Sequence, residues 1–120
     1  MHVRLLKSKL HMATVTQTEL TYHGSITIAQ DLLEAVGILP YEQVLIANSN
    51  NGQRGETYAL VGPAGSGVMQ LNGAMARLAQ PGDRLIVMAF ADLTPAEAGH
   101  HKPQIAILDE KNQIVEQWAG

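Results

Sequence analysis

The chain is punctuated so often that its elements are expected to be short. Turn clusters recur at Asn50-Asn51-Gly52, Pro63 to Gly67, Pro81-Gly82-Asp83 and Asp109 to Asn112. Gly and Asn tolerate positive φ and Pro cannot continue a helix or a central strand, so such clusters end whatever precedes them. The stretches between them are short and rich in β-branched residues. Val3 to Lys9 and Ala13 to Leu20 read as strands, and Ile26 and Ile28 alternate about Thr27, so that Ser25 opens a third. Gln43 to Ser49 runs into the Asn-Asn-Gly turn, and its return strand carries Arg54, Thr57 and Tyr58. Val68 to Leu71 follows, then Leu85 to Ala91, hydrophobic enough to be central, then a final hairpin through Ile105, Ile107, Ile114 and Val115.

Helical pieces are brief. Asp31 to Val36 places Leu32, Leu33 and Val36 on one face and stops at Gly37, while Gly73 to Ala79 makes a helical turn. Thr94-Pro95-Ala96-Glu97 has the N-cap, N1 proline and N3 acid of a capping box. Short strands broken by one-turn helices predict a single mainly β domain over residues 1–120, a small barrel rather than a parallel α/β fold.

Composition excludes several functions. With 46% hydrophobic and 16% charged residues the chain is expected to fold rather than stay disordered. It has no cysteine, so thiolate catalysis, disulfides and cysteine-held metals are ruled out. A net charge of −3 without a basic cluster argues against nucleic acid. No apolar run reaches the roughly 18 residues that span a bilayer, and no signal-peptide core opens the chain, so no membrane role and a cytoplasmic location are expected. Gly62-Pro63-Ala64-Gly65-Ser66-Gly67 lacks the Lys-Ser/Thr ending of a phosphate loop and reads as a flexible loop. His100-His101 has no spaced partner ligand and reads as a solvated loop, so no metal site is expected.

The chemically suggestive pair is Gly24-Ser25, within Thr21-Tyr22-His23-Gly24-Ser25-Ile26-Thr27-Ile28. A serine after glycine in a β-rich stretch can attack the carbonyl that precedes it. The amide becomes an ester, the serine loses its oxygen by elimination, and hydrolysis leaves a pyruvoyl group on a new N-terminus. Alone, such a pair is more often a turn. Here it stands with Lys9-Leu10-His11, with Arg54 and Thr57-Tyr58, and with Asn72-Gly73-Ala74. At these spacings, up to Phe90, the chain resembles the bacterial aspartate 1-decarboxylases, pyruvoyl enzymes that make β-alanine for pantothenate.

The resemblance implies a six-stranded double-psi β-barrel and a homotetramer with active sites between subunits. It also implies autocatalytic cleavage into a β chain (1–24) and an α chain (25–120). Ser25 would become the pyruvoyl group whose ketone condenses with the amine of L-aspartate, a covalent cofactor replacing pyridoxal phosphate. Tyr58 would be the proton donor, since a phenol stays protonated at neutral pH. Thr57 would donate to the Gly24 oxyanion during processing and then contact the substrate, or is simply a β-branched strand residue. Gly24 would permit a strained backbone and leave room for attack, or make a tight turn. Arg54 can grip the substrate carboxylate that stays, or is a solvated hairpin arginine. Lys9 would add charge from a neighbouring subunit, and His11, on the same strand face, would assist processing or have a structural role. Tyr22, Asn72, Gly73 and Ala74 would contact the pyruvoyl group or the substrate; alone, Asn-Gly is an ordinary turn.

Thr57 and Tyr58 fall on opposite faces of a regular strand, so one site holding both needs a bulge or a subunit interface. His23 stands where the family often has an acid, which bears on cleavage rate. Met75 stands where a small residue is common and is expected to narrow the pocket. The expected reaction is decarboxylation of L-aspartate to β-alanine and CO2. The alternatives are the same chemistry on another small amino acid and a non-catalytic β-barrel binding module.

Overall fold

The computed structural model describes residues 1–119; Gly120, the last residue of the expected domain, lies outside them. In chain order the strands are β1 (Val3–Thr14), β2 (Gln17–Glu19), β3 (Ser25–Ala29), β4 (Gln43–Asn48), β5 (Arg54–Gly62), β6 (Met69–Asn72), β7 (Arg84–Leu93), β8 (Gln104–Leu108) and β9 (Ile114–Ala119). The helices are α1 (Gln30–Val36) and α2 (Pro95–Ala98), with a 3-10 helix over Gly73–Leu78. The strands hydrogen-bond in the order β2-β6-β3-β5-β4-β7-β1-β8-β9. The fold is mainly β as expected, but the described residues form nine strands rather than six, in an order open at β2 and β9. Short edge pieces raise the count: β2 has three residues, and β9 is exposed along its whole length.

β1 is longer than its sequence pattern. Instead of breaking after Lys9, the chain stays extended to Thr14 and shifts register against β7 between Leu6 and Ser8 and between His11 and Ala13. Such bulges bend a strand without ending it. The second lies at Met12, whose φ is 64°. The Arg84 guanidinium donates to the Met12 carbonyl at 3.0 and 2.8 Å and to the Leu108 carbonyl at 3.1 Å, satisfying acceptors turned out of the ladder. The expected strand Ala13 to Leu20 is therefore divided between the end of β1 and the short β2.

Inward-facing Leu10, Ile26, Ile28, Leu71, Leu85 and Val87 are fully buried and share one core with Leu32, Leu33 and Val36 of α1. Burying each of the larger side chains contributes roughly 1.5–3 kcal/mol. α1 ends as its sequence predicts, with Gly37 at φ 73° donating to Glu34 and Ile38 donating to Leu33. These two bonds close a Schellman motif, which needs the left-handed residue that glycine supplies. The capping box of α2 forms in full, with Thr94 and Glu97 each bonding the other's backbone.

Two pairings place the chemistry. β3 runs antiparallel to β6, with Ser25 opposite Asn72 and Thr27 opposite Gln70. On its other side β3 runs parallel to β5, with Ile26 opposite Ala59.

Candidate active site

Ser25 and Thr27 share the face of β3 opposite to buried Ile26 and Ile28, because strand side chains alternate. Ser25 is nevertheless fully buried. Its Oγ donates to the His23 carbonyl at 3.1 Å and accepts from Asn72 Nδ2 at 3.0 Å. The Asn72 amide also donates to Thr27 Oγ1 at 3.0 Å, and its Oδ1 accepts from Gln70 Nε2 at 2.7 Å. Every polar atom of the buried Asn72 side chain is thus engaged, as burial demands. Thr27 and Gln70 were not singled out from the sequence. The period of two, counted from Ser25 and from Asn72, was the signal that could have found them.

Gly73 packs against the backbone of the Gly24 segment. Its φ is 64°, and a Cβ there would lie 2.7 Å from Gly24 N, 2.8 Å from Gly24 Cα and 2.8 Å from the Tyr22 carbonyl oxygen. Gly24 has neither constraint: a Cβ would meet nothing within 4 Å, and its φ is outside the left-handed region. The steric demand expected at Gly24 therefore falls on Gly73. Tyr22 is exposed and stacks edge-on to His23 with ring centroids 5.6 Å apart. Ala74 is exposed on the first turn of the 3-10 helix.

The β5 residues approach this point from the other side. Continuing the Ile26–Ala59 register one step back puts Tyr58 beside Ser25, on the same face, and turns Thr57 to the face of buried Ala59. The ladder to β4 runs unbroken from Gln43–Tyr58 to Ala47–Arg54, so no bulge brings Thr57 and Tyr58 together. The Tyr58 ring stacks on Tyr41 at 6.4 Å, tilted by 32°. Arg54, at the exposed start of β5, belongs to neither ion pair of the described residues, Arg4–Asp92 and Lys7–Glu42.

Lys9 and His11 do lie on one face of β1, flanking buried Leu10. Yet β4, β5 and β7 separate β1 from β3 in the strand order, and these two residues do not join the Ser25 cluster within one chain. The His11 pKa is lowered, first by burial and then by the positive charges of Lys9 and Arg84. Its Nδ1 is buried without a hydrogen-bond partner.

Three further expectations need correction. Met75 is turned into the core, where its Sδ lies 3.4 Å from the position of a Cβ on Gly55, so it fills the space that glycine leaves. The Gly62–Gly67 loop is tied down. Gly65 N donates to Asp31 at 2.9 Å, Ser66 Oγ to Pro63 at 2.6 Å, and the Gly67 carbonyl accepts from Asn112 at 2.8 Å. His101 is not merely solvated: its Nε2 donates to the Leu6 carbonyl at 2.6 Å, since a carbonyl only accepts. No group of metal-binding side chains occurs among the described residues. A groove of about 490 Å³ lies elsewhere, lined by Arg4, Glu42, Glu56 and Phe90 among others.

The arrangement defines a class: a mainly β chain holding a buried serine hydroxyl by a fixed amide, directly after a glycine. The aspartate decarboxylase family model matches residues 1–115, and the chain belongs to that family. It is 55% identical to an aspartate 1-decarboxylase of Ruminiclostridium cellulolyticum over 114 residues, covering 95% of this chain and 89% of the relative. A second, from Maricaulis maris, is 54% identical over 96% of this chain and 95% of its own length. A third, from Bacillus subtilis, is 50% identical over all 120 residues and 94% of its own length.

Proposed function

We propose that this chain cleaves itself between Gly24 and Ser25 and decarboxylates L-aspartate to β-alanine and CO2, supplying pantothenate synthesis in the cytoplasm. The observation that carries the reading is the Ser25 hydroxyl, buried and held between Asn72 Nδ2 and the His23 carbonyl in a member of this family. The donor set fits a pyruvoyl group at residue 25, because Asn72 already directs an N–H at the Ser25 side chain and Gly73 leaves no bulk beside it. That group supplies an electron sink for the pair released as CO2 departs.

The remaining roles belong to this chain's own side chains. Arg54, free of internal ion pairs, grips the carboxylate that stays through two parallel hydrogen bonds. Tyr58, next to Ser25 by register, returns a proton to the substrate carbon. Thr57 donates to the Gly24 oxygen during self-cleavage, and Tyr22 and Ala74 border the substrate. Lys9 and His11 reach the site from a neighbouring subunit of a homotetramer. Their distance from Ser25 in the strand order supports this, as do exposed Tyr41, Val61, Phe90 and Trp118. The strands curl into a double-psi β-barrel, a reading supported by the parallel pairs β1/β8, β2/β6 and β3/β5 within a largely antiparallel sheet.

Intact-mass analysis tests the reading. Two fragments are expected, 1–24 and 25–120, and borohydride with aspartate should add mass to the larger one only. A single uncut species that nonetheless decarboxylates aspartate at full rate would end it.

A further inference from the structure

Gln70, like Thr27, is a member of the Ser25 cluster to which the proposed reaction gives no part. Asn72 is fully buried, and its orientation decides whether an N–H or a carbonyl oxygen faces Ser25. The hydroxyls of Ser25 and Thr27 both donate and accept, so they tolerate either orientation. The His23 end of the chain of bonds does not. The His23 carbonyl only accepts, so it takes the Ser25 proton at 3.1 Å and leaves Oγ to accept from Asn72. At the other end Gln70 Nε2 occupies Asn72 Oδ1 at 2.7 Å, which would otherwise be a buried acceptor without a partner.

We propose that Gln70 is a positioning residue for self-cleavage, holding the Asn72 amide with its N–H toward Ser25 Oγ so that this oxygen can leave. The proposal rests on the self-cleavage reading above. In the ester, Oγ bridges Ser25 Cβ and the Gly24 carbonyl carbon. Elimination transfers the Ser25 Cα proton to water, and the electron pair it leaves forms the Cα–Cβ double bond. The Cβ–Oγ bond breaks with its pair on Oγ, which departs as one oxygen of the Gly24 carboxylate. Water then replaces the enamine nitrogen, which leaves as ammonia. Negative charge grows on the atom that Asn72 Nδ2 faces, where a preplaced donor lowers the barrier and a carbonyl oxygen would raise it.

Three variants separate orientation from packing. In Gln70→Glu the ionised carboxylate only accepts, so the Asn72 amide turns over and presents Oδ1 to Ser25. Cleavage should slow by about 100-fold. Ester should accumulate as a species of unchanged mass that hydroxylamine splits after Gly24. As pH falls through the carboxyl range, the introduced side chain takes up a proton and donates again, and cleavage should recover. Gln70→Lys, which only donates, should stay within about threefold of wild type, and Gln70→Met should be slowed roughly tenfold. A merely structural role predicts neither the contrast between the acidic and basic variants nor the recovery in acid. Wild type and all three variants cleaving at one rate would overturn the role of Gln70 alone. A wild-type chain that never cleaves would overturn both this and the proposed function.

Discussion

Replacing Gly73 by alanine should damage the fold at the Tyr22–Gly24 segment, whereas the same change at Gly24 should not. At φ 64° an alanine costs about 1–2 kcal/mol in backbone strain. Its Cβ would also meet three backbone atoms at 2.7 to 2.8 Å, so either Tyr22–Gly24 or the end of β6 must move by several tenths of an ångström. That movement strains the Ser25–Asn72 pair, whose hydrogen bond contributes about 1 kcal/mol. Together these give a loss of about 2–3 kcal/mol. With a urea slope of roughly 1–3 kcal/mol per molar, the unfolding midpoint should fall by about 1–3 M. Gly24→Ala, with open space and an ordinary φ, should leave stability unchanged or raise it by up to about 1 kcal/mol through the unfolded chain. The assay is urea unfolding at fixed protein concentration, with cleavage followed by mass. Equal midpoints for the two variants would refute the reasoning.

Asn112 carries a second structural prediction. It is almost fully buried, and its amide bonds the Thr14 carbonyl, the Thr14 N–H and the Gly67 carbonyl. Asn112→Ala should cost about 2–4 kcal/mol, read as a lower urea midpoint; a change under about 0.5 kcal/mol would contradict the network. For His11, burial holds the folded pKa below the ordinary 6.5, so the unfolded chain takes up its proton first as pH falls. The contribution is complete above about pH 6.5 and is lost as pH drops toward the lowered value. Thermal unfolding of wild type should therefore fall relative to His11→Gln between about pH 7.5 and the acid end of that window. A wild-type-to-variant difference that is constant with pH would exclude burial as the cause.

Local chemistry made much of this fold legible. The Thr94–Glu97 capping box, the Gly37 stop and the Asn50–Gly52 turn each depend on residues within one turn of chain, and each formed as expected. The course of β1 past Lys9 was not legible, because its bulges are set by pairing with β7 and by Arg84, more than 70 residues away. The same distance explains the site. Ser25 and Asn72 were picked out through a family pattern, but their partners Thr27 and Gln70 appear only once β3 and β6 are in register. Gly24 and Gly73 look alike as letters. Which of them lacks room depends on two loops meeting, and no pattern along one strand records that.

β1 lies inside the strand order, bonded to β7 on one side and β8 on the other. Severing the chain after Gly24 would leave this segment stitched between two neighbours of the larger piece, with no free route out. The mature molecule would then be a complemented pair of peptides. Once separated in denaturant, the halves must find each other again, so reassembly becomes second order and slows on dilution. The unbroken chain faces no such search, so cleavage there would make the folded state easier to keep than to regain.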